Sequence, residues 1–311
     1  MILVAGSANL DFVVRADHIP SPGETVLGRD FQTFPGGKGA NQAVACSRAG
    51  DATTHMLLAL GDDAFAQPLE TSLKGAGVKM LTVRDPSHAT GTAFICLSEA
   101  GENAITVAPG ANNALRAEHL SPLAGYSHLL LQLEIPLEAV TAYAQAARAA
   151  GVSVVLNAAP ARPLPEALLA AVDILIVNEG ELAVVAGHQG RVAECLSRLQ
   201  VPTVVVTLGA QGCIARQQGQ HFLQASFAID PVDTTGAGDT FCGALAAALS
   251  QGQTLNDALR YASAAGALAC TRMGAQSSVP EAAEVLSFMA SQPDNNSPAR
   301  LAALRALSGI S

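Results

Sequence analysis

The feature that most constrains this chain is a repeated switch of hydrophobic period. Short runs of almost continuous apolar residues lie at 2–6, 53–59, 128–132, 153–156, 174–177 and 203–207. Between them, at 40–49, 64–74, 136–150, 179–186 and 192–199, the apolar residues fall on one side of a helical wheel. A strand hydrophobic on both faces must be covered on both faces, and helices that alternate with such strands supply the cover. The expectation is an α/β fold with a mainly parallel sheet between helical layers and right-handed crossovers.

Composition supports a large core and excludes several classes of function. Of 311 residues, 50% are hydrophobic and only 14% charged, so disorder is not the main state. Seventeen basic residues against 26 acidic give a net charge of -9, and no Lys/Arg cluster stands out. No nucleic-acid partner and no anionic membrane surface is expected, because both need local positive charge. MILVAGS lacks a basic leader and reads as a strand, not a secretory signal. The most apolar stretch, 139–161, is interrupted by Gln145, Arg148 and Asn157, so no membrane span is expected. The six cysteines form no C-x-x-C pair and sit in apolar runs, which suits reduced thiols in the cytoplasm. The histidines are scattered without metal-ligand spacing.

Two segments break the rhythm. Residues 12–34 and 90–107 carry short alternating runs around Pro20, Pro22, Gly23 and the Ala100-Gly101 junction. They are expected to form a small sheet that acts as a lid. Further on come strands near 212–216 and 221–224, then helices near 237–250, 255–271 and 281–291. We expect one domain over 1–291, a linker at 292–297 and an added helix at 298–307 within a C-terminal extension, 292–311.

The sharpest chemical feature is DTTGAGDTF, 233–241, where turn residues lead into a helical pattern. Gly236 and Gly238, with Ala237 between them, leave backbone N–H groups free at a helix start, a natural anion site. Asp239 in the first turn is either a helix cap or a base. The spacing fits neither G-x-G-x-x-G, since Phe241 takes the last position, nor Walker A, since Lys38 is followed by Gly39. A second loop, GGKGANQAVA at 36–45, allows close backbone approach to a hydroxyl-rich ligand, and Asn41 is placed to bond a polyol. Asn9 and Asp11 share one strand face. Asn178 and Glu181 share one helix face, where an amide and a carboxylate suit hydrated Mg²⁺ or a phosphate-bound water. Asn9, Glu134, Asn178 and the segment 207–212 all follow strand C-termini, the edge at which open α/β sheets bind ligands.

Together the two glycine loops resemble the signatures of the ribokinase/PfkB family of carbohydrate kinases. GSANLD, PGETV, QLEIP, NEGE, TLGAQG and TRMGAQSSVP extend the likeness to about residue 288. The resemblance implies a three-layer α/β/α sandwich with a small β-sheet lid. It implies ATP-dependent phosphorylation of the 5-hydroxyl of D-ribose, with Asp239 as base and 236–239 as anion hole. Asn9, Asp11, Gly37, Lys38, Gly39, Asn41 and Glu134 fall on sugar-binding positions. Asn178, Thr207, Gly209, Gly212, Gly238 and Ser263 fall on ATP contacts. Glu181 falls on a residue tied to Mg²⁺ through water. Asp233, Thr235, Ala269, Arg272, Gly274 and Ser278 fall on a monovalent-cation site that favours K⁺. Separately from the resemblance, the lid itself suggests a homodimer, in which the exposed apolar positions Val13, Phe31, Phe94 and Ile95 pair two small sheets. The rival readings are a sibling kinase for deoxyribose, a ketohexose or a nucleoside, and a non-catalytic sugar or nucleotide sensor on the same fold.

Overall fold

The computed structural model describes residues 1–100, 102–292 and 295–310. Among them are thirteen strands: β1 (Ile2–Ala5), β2 (Asn9–Ala16), β3 (Arg29–Gly36), β4 (Thr54–Gly61), β5 (Lys79–Asp85), β6 (Gly91–Ser98), β7 (Asn103–Ala108), β8 (His128–Leu131), β9 (Ser153–Asn157), β10 (Ile174–Asn178), β11 (Thr203–Thr207), β12 (Gly212–Gln217) and β13 (Gln220–Ala225). The helices are α1 (Lys38–Ser47), α2 (Ala66–Gly75), α3 (Leu137–Ala149), α4 (Glu166–Leu169), α5 (Glu179–Ala186), α6 (Val192–Ser197), α7 (Ala237–Ser250), α8 (Leu255–Ala269), α9 (Ala282–Ser291) and α10 (Pro298–Ser308).

The main sheet runs β13-β12-β11-β10-β9-β8-β1-β4-β5. All its pairings are parallel from β11 to β5, and β12 and β13 add an antiparallel edge. Successive residues of one strand point to opposite faces, and the core divides accordingly. Ile2, Val4, Leu130, Val155 and Val205 pack with α1, α7 and α8 on one side. Leu3, Ala5, Leu129, Leu131 and Val204 pack with α3 and α6 on the other. The chain builds outward from β1 through β4 to β5, then returns to β8 on the opposite flank of β1. Strand order therefore reverses between β1 and β8, which opens a crevice at their carboxyl ends.

The expected α/β architecture is present, with corrections. Residues 79–85 form a strand although KMLTVRD mixes exposed and half-buried positions and only Asp85 is buried; β5 is the sheet edge and needs little cover. Residues 166–169 form a short helix. Asn9 and Asp11 open β2, the first strand of the second sheet, and do not end β1. The expected turn at 100–101 and linker at 292–297 lie partly outside the described residues.

The second sheet runs β3-β2-β6-β7, with β2 and β6 parallel and its other pairs antiparallel. Its two faces differ. Phe12 stacks on Phe94 with centroids 5.4 Å apart and on Phe31 at 6.0 Å, and it meets the edge of Phe65 beside α2. Phe31 and Phe94 remain 63% and 54% exposed. Val13 and Ile95, expected beside them, are register partners on the opposite face with Asp11, where they line a cleft. Alternation along a strand forbids Val13 and Phe12 from sharing a face.

α1 and α7 approach so closely that a Cβ added to Gly243 would lie 2.5 Å from the Gln42 carbonyl oxygen and 2.6 Å from Ala45 Cβ. Gly243→Val should therefore lower the free energy of unfolding by about 1–3 kcal/mol. Urea denaturation measures this, and an unchanged midpoint would mean that the helices have room to separate.

Candidate active site

The reversal of strand order brings the polar ends of β1, β8, β9 and β10 to one crevice, and α1 and α7 begin there. Gly37 precedes α1 with φ +89, a left-handed conformation, and an added Cβ would lie 2.7 Å from Asn9 N. Only glycine lets the loop pass this close to β2. Gly236 precedes α7 with φ +74, and no side chain caps that helix. A Cβ at Gly238 would meet nothing within 4 Å. The Ala237 N–H donates to the Thr234 carbonyl at 3.3 Å, so at the N-terminus of this fourteen-residue helix it is the N–H groups of Gly238 and Asp239 that are placed to receive an anion.

Asp239 is not a cap. It is 9% exposed, and its oxygens accept from two amides: Asn41 Nδ2 donates to Oδ2 at 3.0 Å, and Gln42 Nε2 donates to Oδ1 at 2.9 Å. Each amide is itself oriented. Gln276 Nε2 donates to Asn41 Oδ1 at 3.1 Å, and Gln132 Nε2 donates to Gln42 Oε1 at 2.6 Å. Gln42 also reaches Asn157 Oδ1 at 3.0 Å. Glu134 Oε2 accepts from Ser7 Oγ at 2.6 Å and from the Lys38 N–H at 3.0 Å. Asn9 is buried, and its Oδ1 accepts from Asn112 Nδ2 at 2.8 Å.

A cavity of about 180 Å³ is lined by Lys38, Asn178, Glu181, Thr207, Gly236, Gly238 and Asp239, all of them singled out in the sequence. A wider cavity of about 550 Å³ lies between the second sheet and the loops before α7 and after α8; it takes in Asp11, Phe34, Asp233, Thr235 and Gly274. Gly209 and Gly212 flank the turn that follows β11, and neither lines these cavities. Ser263 lies on α8, with its hydroxyl 3.6 Å from Cys213 Sγ and away from both. Asn178 and Glu181 bond each other's backbone N–H reciprocally, both at 2.8 Å, so the pair starts α5 as well as lining the smaller cavity.

The electrostatics are one-sided. Burial, then the charges of Glu134 and Asp239, raise the Asp11 pKa from 3.8 to about 7. Burial also raises Glu181, against the pull of the Asn178 N–H and Lys38. Lys38 is raised because Asp239, followed by Glu134 and Glu181, outweighs the cost of burying its charge. One lysine thus faces several carboxylates.

The loop pair proposed for a cation, 233–235 and 269–278, is held together: Asp233 accepts from Thr235 N at 2.9 Å and from Gly274 N at 2.8 Å. Ser278 is buried and donates to the Ala275 carbonyl. Ala269 is buried at the end of α8. The Arg272 side chain is paired with Glu284, which leaves only its backbone to offer. These segments supply oxygen donors, the chemistry a K⁺ site requires. Among the described residues, no group of three or more His, Cys, Asp or Glu is placed to hold a metal by itself. Among the described residues, no helix is long and apolar enough to cross a membrane.

The sequence reading missed Ser7, Gln42, Asn112, Gln132, Asn157 and Gln276. Gln132 at a strand's carboxyl end and Gln42 beside the glycine loop carried a positional signal; Gln276 carried none.

Residues 1–282 match the model of the pfkB family of carbohydrate kinases. The chain belongs to that family. As a pfkB-family carbohydrate kinase it is 39% identical over 289 residues to the ribokinase of Bacillus subtilis, a match that covers 91% of this chain and 97% of that one. It is 36% identical over 300 residues to the ribokinase of Haemophilus influenzae, covering 93% and 98%. Its fold matches the ribokinase of Thermotoga maritima with a TM-score of 0.85 at 35% identity, covering 93% and 99%. It matches the Arabidopsis thaliana ribokinase complexed with ribose and ATP with a TM-score of 0.82 at 34% identity, covering 93% and 98%.

Because Asp11 holds a raised pKa, its ionisation opposes folding. The carboxyl is protonated in the folded protein below about pH 7, and the stability this gives is lost as pH rises through that value. Asp11→Asn should raise the melting temperature by several degrees at pH 8, with the gap closing toward pH 4. Thermal unfolding at both pH values checks this, and equal melting temperatures at pH 8 would refute the raised pKa.

Proposed function

We propose that this kinase transfers the γ-phosphoryl group of ATP to the 5-hydroxyl of D-ribose, giving D-ribose 5-phosphate and ADP. The observation that carries the reading is Asp239: a buried carboxylate, both oxygens held by oriented amides, at the mouth of an uncapped helix N-terminus. The ribose and ATP named for the Arabidopsis relative support the choice of ligands.

Asn9, Asp11, Gly37, Lys38, Gly39, Asn41 and Glu134 bind and orient the sugar, with Asp11 reading vicinal hydroxyls. Asp239 takes the proton of the 5-hydroxyl as that oxygen bonds to the γ-phosphorus and the bond to the leaving ADP oxygen breaks. A positioned base of this kind contributes roughly 10²–10⁴-fold. The N–H groups of 236–239 stabilise charge on the transferring group, each donor contributing about 10²–10³-fold. Asn178, Thr207, Gly209, Gly212 and Gly238 meet the nucleotide, with Ser263 toward the base. Glu181 holds Mg²⁺ through water; when bound, Mg²⁺ neutralises phosphate charge in a pocket short of positive charge. Backbone oxygens along 233–235 and 269–278, with the Ser278 hydroxyl, hold K⁺. Residues 1–291 act as the kinase domain, and the second sheet closes over the sugar to exclude water.

We place the enzyme in the cytoplasm, in keeping with its six unpaired cysteines. The exposed Phe31–Phe12–Phe94 face supports pairing of two second sheets in a homodimer. Phe94→Glu should then sediment as a monomer where the parent chain sediments as a dimer, and a parent chain that is monomeric at micromolar concentration overturns the pairing.

ATP-dependent turnover over a panel of ribose, deoxyribose, fructose and adenosine tests the substrate. Ribose should give the highest kcat/KM, and no turnover with any pentose overturns the reading in favour of a sibling substrate or a sensor. Asp239→Asn should lose about 10²–10⁴ in kcat while still binding ribose. A near-normal kcat would refute its role as base.

A further inference from the structure

Residues 295–310 lie beyond the part of the chain that the family model matches, yet a run of polar contacts ties them to the turn after β11. α10 is seated by Leu304 and Ile310, both buried in the core, so Arg300 projects from a fixed base. Its guanidinium donates through Nη1 to the carbonyl and side-chain oxygens of Asn295. Through Nη2 it donates to the carbonyl and hydroxyl oxygens of Ser226. Ser226 passes the contact on: its hydroxyl donates to the Ala210 carbonyl at 2.5 Å, and its N–H donates to the Gln211 carbonyl at 3.2 Å. The attachment is reinforced at Ala225, whose N–H donates to Asn296 Oδ1 at 2.9 Å and whose carbonyl accepts from Asn295 Nδ2 at 2.7 Å.

The turn so held is short. It is a single 3-10 turn, Gly209–Gln211, in which Gly209 has φ +53 and Ala210 and Gln211 are exposed. Thr207, just before it, lines the smaller cavity. A planar guanidinium fork holds two partners in fixed relation, which a flexible ammonium does not. The turn's own bonds, from the Leu208 N–H to the Gly212 carbonyl at 2.8 Å and from the Gln211 N–H to the Leu208 carbonyl at 3.0 Å, set its shape; the fork restrains its position against Ser226, and any freedom regained there is subtracted from affinity when a ligand binds.

We infer that the C-terminal segment braces the nucleotide site: Arg300, acting through Ser226, fixes the 208–211 turn and sets affinity for adenine nucleotide without touching it. The inference rests on the proposed role of 207–212 as nucleotide contacts. Arg300 is a positioning residue, so the test must separate nucleotide binding from general loosening.

Titration calorimetry with ADP on the full-length chain, which needs no turnover, compares the parent with Arg300→Ala, Arg300→Lys and Ser226→Ala. Arg300→Ala should weaken ADP binding about three- to tenfold, as expected for loss of a charge-assisted contact. Arg300→Lys should fall between, and Ser226→Ala should shift the same way. In turnover, KM for ATP should rise while kcat and KM for the sugar stay within twofold. ADP affinity unchanged in both alanine variants overturns the brace while leaving the kinase reading intact. A parallel loss in both KM values and kcat also overturns it. A parent chain that binds no ADP overturns the nucleotide reading and the brace together. If Arg300→Ala does not fold, Ser226→Ala decides, because it leaves the Asn295 and Asn296 contacts in place.

Discussion

A carboxylate withdrawn from water needs donors to replace it, and the architecture of the site follows from meeting that need at Asp239. An ionised carboxylate only accepts, so it fixes which end of each neighbouring amide faces it. Gln42 turns Nε2 toward Asp239 and Oε1 toward Gln132, and Gln132 then spends its Nε2 on Gln42. Gln132 Oε1 is left buried without a partner. A Cβ at Gly6 would lie 2.1 Å from that oxygen, so the contact depends on a bare backbone there. An orphaned buried acceptor costs about 1–3 kcal/mol. The molecule tolerates it to hold one carboxylate in one orientation.

The same crowding governs the remaining charges. Burial, with repulsion from neighbouring carboxylates added to it, shifts Asp11 and Glu181 upward, and Lys38 is the cation among them. Relieving this repulsion would stabilise the fold, but it would also remove the groups proposed to bind sugar and metal. The site is therefore where stability is given up for chemistry, the usual location of such a conflict.

Much of this was legible in the sequence. The two glycine loops announced themselves because close backbone approach and left-handed turns admit few residue types, as Gly37 and Gly236 confirm. The continuous apolar runs marked the buried strands because a strand covered on both faces has no polar alternate. β5 escaped because an edge strand half in solvent loses that signature. The amides Gln42, Gln132, Asn157 and Gln276 escaped for another reason: an amide in a helix, strand or loop reads as ordinary polarity until its partner, often far along the chain, is known. Asn41 was noticed for a ligand and proves also to orient Asp239. The faces of the second sheet were legible in principle from alternation, yet Val13 and Ile95 were grouped by hydrophobicity alone with Phe31 and Phe94.

The position of β1 also bears on how the chain reaches its native state. Ile2–Ala5 pairs with β4 on one side and with His128–Leu131 on the other. During synthesis, its second flank therefore stays open until well over a hundred later residues have left the ribosome. An unpaired apolar strand invites wrong partners for as long as it waits. The arrangement that creates the crevice thus lengthens the time for which one apolar strand edge of the nascent chain lies open.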